Sequence, residues 1–156
     1  MDTASISIIK KELKNLPPDE LQIILARLAK YKKENKELLS YLLFEAYNEQ
    51  AFIQSVKEEI DEQFSNLNSS SFYLAKKTIR KVLKTTNKYI RFSGIKETEI
   101  QLSIYFCRKL KESRINYKSS RVVFNMYLNQ IKRIRKVLSM LHEDIQFDYE
   151  EEIENL

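Results

Sequence analysis

A single glycine and only two prolines stand in 156 residues, and that scarcity constrains the fold before any pattern is considered. Average chains carry about 7 % glycine and about 5 % proline. A sheet protein needs such residues, because tight hairpin turns demand a positive or a preset φ at their central positions. The expectation is therefore an all-α fold. With 43 % hydrophobic and 31 % charged residues, the composition suits amphipathic helices around a core and is too apolar for a disordered chain. The length is that of one domain, long enough to bury about two-thirds of its unfolded surface.

Apolar spacing and capping chemistry place the elements. Ile6, Ile9, Leu13 and Leu16 recur at steps of three and four, a short first helix that the pair Pro17-Pro18 stops. Pro18, Asp19 and Glu20 open a second, to about residue 33, with Leu21, Ile24, Leu25 and Leu28 inward. Asn35 is placed as the cap of a third, with Leu38, Leu39, Leu42, Leu43 and Ala46 inward, and Asn48 as the cap of a fourth carrying Phe52, Val56, Ile60 and Phe64. The carboxylates Glu58, Glu59, Asp61 and Glu62 fall on its outward side. After a polar loop at 66–71, a fifth helix runs to Phe92 and ends at Gly94, the residue type that tolerates the left-handed conformation past a helix end. A sixth spans about 97–114. A seventh spans about 120–142 on a stripe of Phe124, Tyr127, Leu128, Ile131, Ile134, Leu138 and Leu141. Short connections make neighbours antiparallel, so the architecture predicted is about seven helices in stacked hairpins, HEAT-like, or in an irregular bundle. Residues 1–142 read as one domain and 143–156 as an acidic C-terminal tail.

Charge divides the chain differently. Residues 69–142 carry 18 Lys or Arg against 3 Asp or Glu, residues 1–68 carry 9 against 12, and residues 143–156 carry none against 7. Within the basic segment Lys77, Lys81, Lys84, Lys88 and Arg91 step by four and three. At about 100° per residue they stay in one narrow stripe about 21 Å long, opposite the apolar stripe of Phe72, Ala75, Ile79, Val82, Thr86 and Ile90. The seventh helix repeats the theme. Arg121, Lys132 and Lys136 share a side with Asn125 and Asn129, and Lys132, Arg133, Arg135 and Lys136 surround Ile134. Like charges this dense repel and add nothing to a fold, whereas helix faces that serve only solubility mix signs. The pattern points to a polyanion, with nucleic acid or a ribonucleoprotein favoured and Tyr73 and Tyr89 as residues to stack on unpaired bases. A membrane surface fits less well, since the basic helices lack an apolar face bearing Trp or Phe. An adaptor that docks an acidic protein, or a second copy of itself through opposite charge poles, is the alternative.

In the tail, Ile145, Phe147 and Tyr149 alternate, which suits an extended segment. Two uses follow: masking of the basic body, or a linear motif for a protein partner anchored by Phe147 and Tyr149.

Catalytic constellations are missing from the sequence. Cys107 is the only cysteine and lies in the run Ile104-Tyr105-Phe106-Cys107, so it reads as a small buried hydrophobe in a reducing compartment. His142 is the only histidine and is placed at a helix C-terminus, where the dipole favours its cation. No Gly-rich phosphate loop, nucleophile elbow or metal-ligand spacing occurs. No cofactor, metal or enzymatic activity is expected. The start, Met1-Asp2-Thr3-Ala4-Ser5, has no basic run leading into an apolar core, and the longest apolar stretch, 38–44, falls well short of the about 20 residues of a bilayer span. A cytoplasmic protein is expected.

Overall fold

The computed structural model describes residues 2–68 and 70–156; Met1 and Ser69, the latter inside the expected 66–71 loop, lie outside the described residues. The fold is all-α. Among the described residues there are eight α-helices, one 3₁₀ turn and no strand. The helices are α1 (Ile6–Lys14), α2 (Pro18–Tyr31), α3 (Lys33–Phe44), α4 (Glu49–Ser65), α5 (Phe72–Ser93), α6 (Lys96–Glu112), α7 (Arg121–Leu138) and α8 (Glu143–Glu154), with the 3₁₀ turn at Tyr117–Ser119. Contacts close the chain into two units, Met1–Phe44 and Glu45–Leu156, and the 66–71 loop is internal to the second.

In the first unit α2 packs on α3. Ser5 caps α1 by accepting from the Ile8 amide at 3.4 Å, and Pro18 starts α2 with Asp19 and Glu20 in its first turn. The third helix begins at Lys33, ahead of the expected cap. Asn35 instead donates its side-chain amide to the Leu28 carbonyl at 2.9 Å, tying α3 to the end of α2. The inward faces expected here are not enclosed: Leu28 is 51 % exposed, Ile24, Leu25, Leu42 and Leu43 are also exposed, and Tyr41 alone among the described side chains of α1–α3 is buried. Three helices of 9, 14 and 12 residues have too little chain to cover every apolar stripe they carry.

The second unit is organised around α6. Ile100, Leu102, Ile104, Phe106, Cys107 and Leu110 are all buried, and at about 100° per residue these positions lie on more than one side of the helix. A helix apolar on several sides must be central, and α6 indeed touches α4, α5 and α7. Side-chain pairs fix the directions. Glu49 meets Thr98 and Asp61 meets Tyr105, so α4 and α6 run parallel. Phe52 meets Tyr89 and Glu49 meets Ser93, so α5 runs against α4. Arg133 meets Glu99 while Tyr127 lies by Cys107, so α7 runs against α6.

Local chemistry explains the start of α4 and both ends of α5. Asn48 caps α4, accepting from the Ala51 amide at 3.1 Å. Ser71 caps α5, accepting from Leu74 at 3.4 Å. Gly94 ends α5 at φ 67°, its amide donating to Ile90 at 2.9 Å, a conformation that costs a side-chain-bearing residue strain. Ala75, Ile79, Val82, Thr86 and Ile90 are buried as the spacing predicts, with Phe72 at the helix start left exposed. On α7 the buried positions are Val123, Tyr127, Gln130, Ile134 and Val137. Phe124, Leu128, Ile131 and Leu138, expected at the centre of the stripe, are half-buried. The helix packs on α6 and reaches α5 through the side-chain hydrogen bond from Arg133 to Asn87.

The acidic tail is a helix, not an extended strand-like segment. His142 caps α8, its Nδ1 accepting from the Asp144 amide at 3.3 Å. It therefore occupies the start of a helix and not the C-terminal place expected of it, because α7 stops at Leu138. Ile145, Tyr149, Ile153 and Leu156 are half-buried while Phe147 is 75 % exposed, and their steps of four, four and three are helical. The Arg108 guanidinium meets Glu152 at 2.8 Å and Lys111 donates to the Asn155 carbonyl at 2.8 Å, so α8 lies along α6 in the same direction.

Candidate functional site

The cations of the second unit fall into two populations. Two of α6, Arg108 and Lys109, face carboxylates. Lys109 pairs with Asp61 at 2.8 Å, and this contact holds its ammonium pKa above the ordinary lysine value. Tyr105 donates to the same carboxylate at 2.7 Å; burial, then Asp61, raises its pKa. Asp61 and Glu59 are thus not outward solubilising groups as their position on α4 suggested, since Glu59 accepts from Tyr89 at 2.7 Å. Arg108 is joined to α8 through Glu152.

Cations of α5 and α7 form the second population. Lys77, Lys81, Lys84 and Arg91 are exposed along α5, and Arg121, Lys132, Arg135 and Lys136 are exposed along α7. Among the described residues none of these eight is in an ion pair. The two helices flank one open groove, lined by Arg80, Leu83, Lys84, Asn87 and Arg91 of α5 and Met126 of α7. Of the ridge, Lys84 and Arg91 line this groove, and from the second cluster Arg133 reaches Asn87 in its wall.

Three expected site residues are placed otherwise. Arg133 is half-buried between the helices, with Nε 2.5 Å from Glu99 of α6 and a further hydrogen bond to Asn87 Oδ1 of α5. Lys88 lies over the Tyr89 ring, 4.6 Å from its centroid, and near Phe92. Tyr89 is packed edge-on against Phe52 and Phe92 and hydrogen-bonded through its hydroxyl, so its ring is engaged in the α4–α5 contact. Tyr73 is 71 % exposed at the start of α5. Of the tail pair, Phe147 is exposed, whereas Tyr149 sits against α6 beside Gln101, with burial raising its pKa.

The sequence pattern also contained a residue that the ridge left out. Arg80, Lys84, Asn87 and Arg91 step by four, three and four, the α5 side of the groove. Choosing that stripe over its neighbour requires knowing that α7 lies beside it.

Burial pushes the Cys107 thiol up to about 12, so at neutral pH it is a protonated core group. Among the described residues no group of three or more His, Cys, Asp or Glu is disposed to hold a metal, and no helix is long and apolar enough to cross a membrane. What the α5/α7 side offers is a fixed array of positive charge about a groove with an apolar and amide floor. Comparison with protein families, with curated proteins and with solved structures gave no match to this chain.

Proposed function

We propose that the protein is a non-catalytic, cytoplasmic binding module that takes a polyanion, nucleic acid or a ribonucleoprotein, on the α5/α7 side of its second unit. The observation that carries this is the contrast between helices. Arg108 and Lys109 of α6 are matched by carboxylates of α8 and α4, while among the described residues Lys77, Lys81, Lys84 and Arg91 of α5 and Arg121, Lys132, Arg135 and Lys136 of α7 are in no ion pair. Repulsion along α5 destabilises the free protein, and an anionic ligand relieves it.

The test is a fluorescence-anisotropy titration with labelled DNA and RNA at 50 and 200 mM salt. Five phosphate contacts give a log-log salt slope near −4.5 on duplex, a loss of several hundredfold across that range. The triple variant Lys81→Glu, Lys84→Glu, Arg91→Glu is expected to abolish binding. Affinity that ignores both salt and the variant would remove the proposal.

A second reading draws on the first unit, where Ile23, Leu28, Leu42 and Phe44 are exposed. Exposed apolar side chains suit a protein partner where they adjoin. Docking of that kind depends on a few anchors and little on salt.

A further inference from the structure

Resting on the polyanion proposal, we infer that the ligand is a nucleic-acid duplex, held through the phosphates of its two backbones by cations of two helices, without base stacking or base readout.

Two observations carry the inference. The first concerns aromatic rings. Proteins that hold single strands pair a basic groove with exposed rings on which bases stack. Here the rings beside the cations are occupied within the fold. Tyr89 is wedged between Phe52 and Phe92, and Tyr117 is 8 % exposed and packed on Tyr127 with ring centroids 5.1 Å apart. The floor of the α5/α7 groove is Leu83, Asn87 and Met126, with no ring at all. Phe72 and Tyr73 remain, both exposed at the first turn of α5, at the end of the cation row and not along it.

The second observation is the presence of cations on two helices with rigid supports. Both α5 and α7 pack on α6, and Arg133 ties α7 to α5 and α6 through Asn87 and Glu99. The α5 crest from Lys77 to Arg91 is about 21 Å long at about 1.5 Å per residue, and the exposed α7 cations stand at the two ends of that helix, Arg121 at its start and Lys132, Arg135 and Lys136 near its finish, a span of about 23 Å. A single strand can fill one such set. A duplex presents a phosphate every about 1.7 Å of axis from two backbones, and so can meet both sets at once. Rows of Lys with no donor–acceptor pattern aimed at base edges position a duplex but carry no sequence information.

The experiment uses the full chain with labelled duplex DNA, duplex RNA and the corresponding single strands of equal length, and heparin as a polyanion without bases. Duplex is expected to bind at least about tenfold tighter than either strand, with unrelated sequences within about threefold of one another. The pairs Lys81→Ala with Lys84→Ala on α5, and Lys132→Ala with Lys136→Ala on α7, should each lower the duplex salt slope by about 2, with helix content by circular dichroism unchanged. The DNA and RNA arms identify which duplex is taken. Single strands bound as tightly as duplex, together with a loss on Tyr73→Ala, would overturn the duplex inference and leave the polyanion proposal standing. An α7 pair without effect would overturn the two-helix arrangement alone. Failure to bind heparin and every nucleic acid would remove both.

Discussion

Arg133 and Lys132 are adjacent in sequence, and on a helix adjacent residues point about 100° apart. That angle separates a structural charge from a surface one. The Arg133 side chain is 30 % exposed and its partner Glu99 23 % exposed, so both ions are largely removed from water. Truncating Arg133 leaves the Glu99 carboxylate and the Asn87 amide without the donor that satisfies them. Hydrogen bonds to charged groups contribute about 1.5–3 kcal/mol, and Arg133→Ala is expected to destabilise the protein by about 2 kcal/mol. Lys132 is exposed and, among the described residues, in no ion pair. Lys132→Ala is therefore expected to stay within about 0.5 kcal/mol of the parent while weakening polyanion binding. Urea unfolding followed by circular dichroism, run beside an anisotropy titration of both variants, checks the pair. Equal stabilities, with binding lost in both, would return Arg133 to the interface.

At the scale of elements, α8 shows what decides whether a segment can be recognised from its own residues. In α5 the cap at Ser71, the stop at Gly94, the buried stripe and the unmixed charge are all local, and each was legible. In α8 the apolar residues are spread among seven acidic ones over 143–156, and the alternation of Ile145, Phe147 and Tyr149 competes with the helical set Ile145, Tyr149, Ile153 and Leu156. What selects the helix lies elsewhere in the chain: Gln101, Arg108 and Lys111 on α6, and the Tyr127 hydroxyl on α7, which donates to the Leu156 carbonyl. The buried face of α7 was illegible for the same reason, and so was the role of Arg133, which depends on α5 and α6 being its neighbours. The ridge itself was legible because spacing alone defines it. In α8 this separates the two aromatic side chains, Tyr149 half-buried and Phe147 exposed. Tyr149→Ser should destabilise the second unit by about 2 kcal/mol, half of what full burial of an aromatic costs to remove. Phe147→Ser should change stability by less than about 0.5 kcal/mol. Thermal unfolding of the two variants distinguishes them, and a destabilised Phe147→Ser would mean that α8 presents a different face to α6.

For the whole molecule, burial is distributed unequally. The buried apolar residues run from Phe52 to Val137, all within the second unit, with Tyr41 the exception. Every cation assigned to the binding face lies there too. A fragment of residues 45–156 therefore contains a central helix, the helices around it and the complete α5/α7 groove, at a size of about 110 residues that supports an independent core. It is expected to unfold in one cooperative transition, with coincident circular dichroism and tyrosine fluorescence curves, and to bind polyanion with an affinity within about threefold of the full chain. Residues 1–44 carry exposed Ile, Leu and Phe side chains and little buried surface of their own, so removing them should also raise the concentration at which the protein stays monomeric, as read by light scattering. A fragment that unfolds without cooperativity would show that the first unit supplies part of the core. One that folds but loses the ligand would place part of the binding surface on α1–α3, where the apolar side chains and not the lysines would have to explain it.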